Sequence, residues 1–249
     1  MKSVSVRKMT DIFYLSFLCG MALDIPRFYM PELDSRPVQT LRGDEAMHAI
    51  KVLRSRVGDP IGLVNGKGLF VQGEILSVDK RSLDFKLMHS DLKEGPESDF
   101  HLILAPTKSM DRLEWCLEKC TELGLSRLTL VISEHSERKK LRLDRLQRIA
   151  LAAMKQSRSY FLPLIEGPQK FEDFIANTDM DQVMIAHCGE GERSAFTSEM
   201  NTVMIGPEGD FSKQEVEMAI EQGAKPVHLG PKRLRTETAA LAACVISNL

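Results

Sequence analysis

Three glycine-bearing segments in the second half of the chain have residue types suited to holding a ligand. They are residues 187–191, 206–212 and 230–238, and each follows a short run of β-branched and apolar residues. Glycine adopts positive φ and lets the backbone approach a ligand closely. The Thr-Glu-Thr sequence at 236–238 leaves amides and hydroxyls free at a helix start. Each segment alone is typical of an ordinary turn or cap, but three after successive strands predict a ligand pocket.

Several common kinds of site have no counterpart in the sequence. It contains neither a G-x-G-x-x-G motif nor a P-loop, which disfavours a dinucleotide or triphosphate site. The five cysteines form no CxxC pair, which argues against a disulfide framework and a thiolate metal site. Cys116 and Cys120, four residues apart, are expected to pack on one helix face. We therefore expect no metal.

Charge is distributed unevenly along the chain. The formal net charge is −2, but residues 137–158 hold eight basic residues and only two acidic ones, a local charge of +6. A solvated helix face usually mixes signs, whereas a one-signed stripe is the pattern expected for contact with a phosphate backbone. The basic residues are Arg138, Lys139, Lys140, Arg142, Arg145, Arg148, Lys155 and Arg158.

The first twenty residues superficially resemble a signal peptide. Basic residues precede a short apolar run at 12–18, but Asp11 interrupts the approach and no A-x-A-like cleavage site follows. Met21 begins a segment that has the features of a natural start. We expect residues 1–20 to be an unstructured or spurious extension and the protein to be cytoplasmic. No stretch approaches the roughly 18 apolar residues of a membrane span, so we expect no membrane partner.

Residues 21–92 have the pattern of a small β-rich domain. A helix-like stretch at 44–54 precedes apolar, β-branched runs at 61–64, 69–78 and 83–88. Asn65-Gly66 lies between the first two runs and is a strong hairpin signal. Consecutive hairpins in so short a segment predict a small barrel. Residues 93–98, with Gly95-Pro96, are expected to be a linker.

From residue 99 to 249, strand-like and helical patterns alternate. Apolar runs at 101–105, 128–132, 182–186, 202–205 and 226–229 are separated by helical periodicity, as at 143–154. Ser212 and Glu215 have the spacing of a capping box. This alternation predicts an α/β domain with a largely parallel sheet covered on both faces. Ligands of such sheets bind beyond the carboxyl ends of the strands, where the three glycine-bearing segments fall.

Residues 205–212 and 229–239 together resemble the signature of the SPOUT methyltransferases. More narrowly, they are similar to the bacterial small-subunit (16S) ribosomal RNA uracil-N3 methyltransferase family, and the resemblance spans about residues 25–249. The family more often has a second glycine where Asp210 stands and an apolar residue near Arg233. Upstream stretches that agree are 26–29, His48 with 51–54, Lys108 with 111–112, 119–124 and 156–158.

The resemblance implies a two-domain enzyme that uses S-adenosylmethionine. It implies a PUA-like RNA-binding β-barrel at 21–92 and a SPOUT α/β domain with a deep trefoil knot at 99–249. It also implies a homodimer. The cofactor-binding residues that it implies are Gly206, Pro207, Glu208, Gly209, Leu229, Gly230, Leu234, Arg235, Thr236, Glu237, Thr238 and Ala239.

The implied reaction is methylation of N3 of a uridine in 16S ribosomal RNA within the small ribosomal subunit. Arg235 is the candidate catalytic residue, because a cation stabilises a uracil anion; pairing with Glu237 or a phosphate is the alternative. Glu208 and Glu237 are candidate bases, and helix capping or structural hydrogen bonding explains either one equally well. His187 is a candidate contact to the methionine end of the cofactor.

The RNA grip is expected to come from basic residues in both domains. Two other functions stay open at this point: a SPOUT enzyme that methylates a ribose 2′-hydroxyl or transfer RNA, and a non-catalytic ribosome-assembly factor that binds RNA. The candidate RNA-binding residues are Arg27, Lys51, Arg54, Lys108, Arg138, Lys139, Lys140 and Arg158.

Overall fold

The computed structural model describes residues 25–96, 98–199 and 201–248. The expected extension at residues 1–20 lies outside this described part. The described chain divides into two compact units, one containing residues up to Asn65 together with Leu69–Leu92, the other containing Gly66–Gly68 and the chain from Lys93 onward. Each unit has its own hydrophobic core.

The first unit is built on a five-stranded sheet of order β1-β3-β4-β5-β2. β1 and β3 are parallel, and the other neighbouring pairs are antiparallel. The β3–β4 and β4–β5 hairpins confirm the hairpin pattern in the sequence. The elements are β1 (Arg27–Tyr29), β2 (Val38–Arg42), α1 (Gly43–Met47), a π-helical turn (His48–Val52), β3 (Pro60–Val64), β4 (Leu69–Val78) and β5 (Ser82–Leu92).

Alternating burial explains this sheet. In β4, Val71, Gly73 and Ile75 face the core while residues between them are more exposed, so one face of the strand is apolar. The helix expected at 44–54 is instead a short α-helix followed by a π-helical turn. Leu53 ends the π-helical turn, and Arg54 follows in the left-handed region with φ 56°.

The second unit contains a seven-stranded sheet of order β10-β12-β9-β11-β6-β7-β8. Every neighbouring pair is parallel, which confirms the expected parallel sheet. β8 and β10 were not predicted. The strands are β6 (His101–Leu104), β7 (Arg127–Ile132), β8 (Leu164–Lys170), β9 (Met184–Ala186), β10 (Ser194–Ala195), β11 (Thr202–Ile205) and β12 (Lys225–His228).

Helices flank this sheet and bury their apolar faces. In α3, Leu146, Ala150 and Met154 form a buried stripe, as the periodicity predicts. The capping box that starts α5 is present, with Ser212 and Glu215 in their expected roles. The helices are α2 (Met110–Glu122), α3 (Leu143–Gln156), α4 (Phe171–Ala176), α5 (Lys213–Glu221) and α6 (Thr236–Ser247), with a 3-10 turn at Met180–Gln182.

For the described residues, helix length bears on membranes and the grouping of possible ligand side chains bears on metals. No helix among them has both the length and the apolar character needed to cross a bilayer. Within that same part of the chain, histidine, cysteine and carboxylate side chains do not gather in groups of three or more that could hold a metal ion.

Candidate functional site

A cavity of about 1020 Å³ lies in the second unit, at the carboxyl ends of β9, β11 and β12. These strands are neighbours in the order β12-β9-β11, so the loops that follow them converge, as expected for a parallel sheet. All three glycine-bearing segments contribute. The lining residues are Arg112, Ala186, His187, Cys188, Arg193, Ile205, Gly206, Pro207, Glu208, Asp210, Val227, His228, Leu229, Gly230, Pro231, Lys232, Arg233, Leu234, Arg235, Thr236 and Ala239.

Residues 206–212, which we call the tied loop, are held by their own hydrogen bonds and by close packing. The carbonyl of Gly206 accepts a hydrogen bond from Oγ1 of Thr236 (3.0 Å), which joins this loop to the start of α6. A Cβ atom at Gly206 would lie 2.9 Å from the backbone nitrogen of Phe211. Only glycine therefore fits at this position without a shift of the backbone.

Asp210 connects the tied loop to the loop after β9. It adopts φ 65°, a left-handed conformation that aspartate tolerates better than most residues. Its Oδ2 accepts a hydrogen bond from the backbone N–H of Cys188 (2.7 Å), and its Oδ1 accepts one from the N–H of Phe211 (2.8 Å). The residue in which this chain departs from the glycine pattern is thus a bridge between two walls of the cavity.

The far end of the tied loop is fixed by the capping box. Glu215 accepts hydrogen bonds from the backbone N–H groups of Ser212 (2.8 Å) and Glu134 (2.8 Å), so it also anchors the segment after β7. Nδ1 of His135 lies 3.0 Å from the carbonyl oxygen of Asp210. The tied loop is thus held at both ends by neighbouring segments.

His187 places a donor without a protein partner in the cavity wall. Its Nδ1 accepts the backbone N–H of Gly189 (3.2 Å), so in the neutral ring Nε2 carries the hydrogen. Nε2 is buried and has no hydrogen-bond partner among the described residues. Burial, together with the nearby Arg193 guanidinium, lowers the pKa of His187 and favours the neutral ring. A bound molecule with an acceptor atom would accept a hydrogen bond from this N–H group.

Residues 229–235, which we call the open turn, contrast with the tied loop. Lys232, Arg233 and Arg235 are exposed, and none forms a salt bridge with another described residue. The one hydrogen bond to a side chain in this turn is the Gly230 N–H to Nδ1 of His228, at 3.3 Å within the described part. Exposed cations without a neighbouring carboxylate attract an anionic molecule.

The two glutamates near the cavity differ in their surroundings. Glu208 is exposed, and both of its oxygens accept the backbone N–H of Lys108 at 3.2 and 3.3 Å. Glu237 is buried in the first turn of α6, and its Oε1 lies 3.8 Å from Nε of Arg112. Its Oε2 is buried and has no hydrogen-bond partner within the described structure.

Comparison with known proteins agrees with this geometry. A family model described as an RNA methyltransferase domain matches residues 93–248, and one described as an RNA methyltransferase PUA domain matches residues 41–88. The chain belongs to this RNA methyltransferase family. The first match covers more than half of the chain and contains the whole cavity.

Several relatives of this family are similar along most of their length. The ribosomal RNA small subunit methyltransferase E of Bacillus subtilis is 28% identical over 230 residues, which covers 84% of this chain and 89% of the relative. The crystal structure of a probable rRNA-methyltransferase from Porphyromonas gingivalis is 38% identical with a TM-score of 0.77, covering 88% of this chain and 95% of its own.

A further solved structure of the family was determined with a ligand. It is the ribosomal RNA small subunit methyltransferase E from Neisseria gonorrhoeae bound to S-adenosyl methionine, 30% identical with a TM-score of 0.77, covering 88% of this chain and 95% of its own. These similarities show that the fold is a SPOUT α/β domain with a PUA-like N-terminal domain, as expected from the sequence.

Most of the twelve residues expected to bind a cofactor in this family member border the cavity. Gly209, Glu237 and Thr238 are not among the lining residues: Gly209 packs against His135, and Thr238 is exposed on α6. The lining residues that were expected are Gly206, Pro207, Glu208, Leu229, Gly230, Leu234, Arg235, Thr236 and Ala239.

The structure adds cavity residues that sequence reasoning did not select. Arg112 comes from α2, and Arg193 from the segment before β10, so both reach the cavity only through the fold. His187, Cys188 and Asp210 lie in loops that the sequence predicts, but of these three only His187 is predicted to contact the cofactor. Each of the three follows one of two strands that are neighbours in the sheet, and this position in the sequence could have indicated that they lie at the cavity.

The expected RNA-binding residues fall on both units. In the first unit, the Arg27 guanidinium lies over the Phe70 ring at 4.6 Å, and Lys51 is exposed. Arg54 in the first unit and Arg158 in the second follow the ends of helical turns and have positive φ, a position usually taken by glycine. Both arginines therefore follow helical segments in a left-handed backbone conformation.

In the second unit, Lys108 and Arg138 form a small network beside the cavity. Arg138 donates two hydrogen bonds to the Lys108 carbonyl (3.0 and 2.8 Å), and Nζ of Lys108 pairs with Glu137 at 2.7 Å. The Glu137 carboxylate raises the pKa of Lys108, so this lysine stays charged. Lys139 and Lys140 are exposed.

The basic stripe is partly neutralised in the fold. Arg142 and Arg148 pair with Asp144 at 3.2 and 2.7 Å, and Arg145 pairs with Glu114 of α2 at 2.6 Å. The sequence count did not include Glu114, because this residue joins the stripe only through helix packing. The exposed charge is therefore concentrated near Lys139 and Lys140.

Proposed function

We propose that this protein transfers a methyl group from S-adenosylmethionine to N3 of a uridine in the 16S ribosomal RNA of the small ribosomal subunit. The observation that carries the proposal is the convergence of the tied loop, the open turn and the loop after β9 on one cavity. Membership of the RNA methyltransferase family supports the reaction class. Relatives named as small-subunit ribosomal RNA methyltransferases support the substrate class.

The residues of the cavity fit S-adenosylmethionine. A volume of about 1020 Å³ accommodates a nucleoside with an amino-acid tail, and Ile205, Leu229 and Leu234 offer apolar surface to an adenine ring. The Nε2–H of His187, which has no partner among the described residues, is suited to donate a hydrogen bond to a carboxylate oxygen. Glycine at 206 lets the tied loop fold closely on itself, and glycine at 230 allows a φ of 124°, which other residues rarely adopt. Bound there, the cofactor supplies an electrophilic methyl group.

The twelve expected cofactor residues fall into two groups under this proposal. Those that line the cavity would contact the cofactor, many through backbone groups. Gly209, Glu237 and Thr238 would act through the conformation of the tied loop and of the first turn of α6.

Arg235 is the proposed catalytic residue. It is the N-cap residue of α6, is exposed on the open turn and lines the cavity. The guanidinium nearest Glu237 belongs to Arg112, so the alternative in which Arg235 pairs with Glu237 has no support from the observed contacts. A cation at this place would stabilise the negative charge that develops on O2 or O4 when N3 loses its proton.

The uridine must leave any base pair before it can react, because N3 lies on the Watson–Crick edge. The exposed cations of the open turn would hold the flanking phosphates. Lys108, Arg138, Lys139, Lys140 and Arg158 in the second unit, and Arg27, Lys51 and Arg54 in the first, would bind the surrounding RNA. A homodimer, a deep trefoil knot and a cytoplasmic location complete the proposal by resemblance to the family.

The test is methyl transfer from labelled S-adenosylmethionine to purified small subunits from a strain that lacks this protein, followed by nucleoside analysis. The proposal expects label in 3-methyluridine of 16S RNA. Label in a 2′-O-methyl nucleoside or in transfer RNA would contradict it in favour of another SPOUT target. If calorimetry finds no binding of S-adenosylhomocysteine and no label is transferred, the protein is an RNA-binding assembly factor instead.

A further inference from the structure

Two hydrogen-bond donors lie side by side in the cavity wall formed by the segment between β9 and β10. His187 lines the cavity, and its buried Nε2 has no hydrogen-bond partner among the described residues. Arg193 also lines the cavity, and its Nη1 donates a hydrogen bond to the carbonyl oxygen of His187 (2.5 Å). This contact holds the guanidinium next to the histidine, so both groups are available to one bound molecule.

The Arg193 guanidinium has donors that the protein does not use. It forms no salt bridge with another described residue, and its one hydrogen bond to a described residue is the contact with His187. Glu190 and Glu192 of the same segment are exposed and do not line the cavity. A guanidinium carries five N–H groups in a planar, charged fork, so the ligand that matches it is an oxyanion such as a carboxylate.

The charges around these donors also favour an oxyanion. Burial and Asp210 raise the pKa of the nearby Cys188 thiol. The guanidiniums of Arg233 and Arg193 oppose this rise, so both cations lie near the same part of the wall. Asp210 is partly neutralised, because its two oxygens accept the backbone N–H groups of Cys188 and Phe211.

The cofactor proposed for this cavity has one such oxyanion, the carboxylate of its amino-acid end. A phosphate of the RNA has related chemistry. However, Nε2 of His187 is buried, whereas the cations of the open turn are exposed and suited to the RNA backbone. A group that reaches a buried donor is one held inside the cavity, which favours the carboxylate.

We propose that Arg193 and His187 together bind the carboxylate of the amino-acid end of S-adenosylmethionine. This inference rests on the function proposed above, and it assigns one end of the cofactor to the segment after β9. Arg193 supplies a charged donor and His187 a neutral one, so Arg193 contributes the larger share of the binding. The pair selects ligands that carry this carboxylate over adenosine derivatives that lack it.

The test compares S-adenosylmethionine with decarboxylated S-adenosylmethionine, which differs from it only in lacking the carboxylate. Calorimetry on the unaltered protein without RNA should find the decarboxylated form bound about tenfold or more weakly, as expected when hydrogen bonds to a charged group are lost. In Arg193→Ala, the affinity for S-adenosylmethionine should fall by a similar factor, while that for the decarboxylated form should change by less than about threefold. Such a loss of preference is the coupling that a double-mutant cycle measures.

Three further variants sharpen the result. Arg193→Lys keeps the charge and should recover part of the preference for the carboxylate. His187→Phe removes the second donor and should reduce that preference less than Arg193→Ala does. Arg127→Ala is the control: Arg127 pairs with Glu166 at the amino end of β7 and is not among the cavity-lining residues, so both affinities should be unchanged. Melting temperatures report whether each variant folds, and Arg193→Lys carries the comparison if Arg193→Ala does not.

The outcomes separate this inference from the proposed function. If Arg193→Ala weakens both ligands equally, the arginine only shapes the loop and the inference is overturned. Unchanged affinity for both ligands, with weaker binding of small subunits, would assign Arg193 to an RNA phosphate instead. If the unaltered protein binds the two forms equally well, the carboxylate site fails while the function stands. If it binds neither form, the proposed function itself fails.

Discussion

The tied loop and the open turn border the same cavity and carry equally specific sequence motifs, but they are stabilised in opposite ways. In the tied loop, Gly206 and Asp210 make hydrogen bonds that join it to the start of α6 and to the loop after β9. In the open turn, Lys232, Arg233 and Arg235 have no salt bridge to a described residue. The first segment is organised by the protein, and the second presents exposed cations that form no salt bridge with a described residue.

The contrast separates residues that shape the cavity from residues that are available to a ligand. Residues that form hydrogen bonds with each other, such as Ser212 and Glu215 in the capping box, fix the shape of the site before binding. His187, which lines the cavity and whose Nε2 has no hydrogen-bond partner among the described residues, is the candidate for direct contact. Preorganisation by one group reduces the cost of binding by the other.

The largest effect is expected for Arg235→Ala in the open turn. Methyl transfer should fall on the order of 100-fold or more, because the uracil anion loses its cation. Calorimetry should find the affinity for S-adenosylhomocysteine within about threefold, since the backbone is kept. Arg235→Lys should recover part of the rate. A loss confined to RNA affinity, with a normal rate at saturating subunits, would instead support a phosphate contact.

Gly206→Ala tests the tied loop from its most crowded point. A Cβ atom 2.9 Å from the backbone nitrogen of Phe211 forces the loop to shift, which typically costs about 1–3 kcal/mol. Affinity for S-adenosylhomocysteine should fall roughly tenfold or more, and the melting temperature should drop. The matched control is Gly95→Ala, where nothing lies within 4 Å of the added atom. Equal behaviour of the two variants would show that the tied loop is adaptable.

Asp210 tests whether the bridge between two loops contributes to binding. Asp210→Ala removes the acceptors for the Cys188 and Phe211 amides and should weaken S-adenosylhomocysteine binding about five- to tenfold. Asp210→Asn keeps an acceptor and tolerates positive φ, so its affinity should stay within about threefold. An alanine variant that binds as tightly as the unaltered protein would show that the bridge does not contribute to binding.

The smallest effect is expected outside both segments. Replacing Lys139 and Lys140 with alanine should weaken RNA binding a few-fold at moderate salt and reduce the slope of log affinity against log salt by about one to two. Lys225→Ala, at the amino end of β12, is the control. Filter binding over a salt series measures both quantities, and an unchanged slope would remove these lysines from the RNA surface.

Much of the fold could be predicted from the sequence, because local patterns specify it. The stripe Leu146, Ala150 and Met154 fixes α3, and the capping box marks the start of α5. β8 was missed because its seven residues include Gly167-Pro168 and charged side chains, which are unusual in a strand. β10 has only two residues.

The site was predictable in its loops but not in its contacts. Glycine and proline mark the tied loop directly in the sequence. The Asp210–Cys188 bridge and the Arg112–Glu237 pair depend on which strands and helices are neighbours, and that order cannot be read from local spacing. For the same reason the sequence did not indicate that Glu114, on another helix, pairs with Arg145.

We propose above that the tied loop, the open turn and the loop after β9 enclose a methyl donor. A crystal structure with S-adenosylhomocysteine tests it most directly. We predict the ligand in this cavity, with its carboxylate near Nε2 of His187 and its sulfur facing Arg235. Density for the ligand at another place, or none at concentrations that saturate related methyltransferases, would contradict the account.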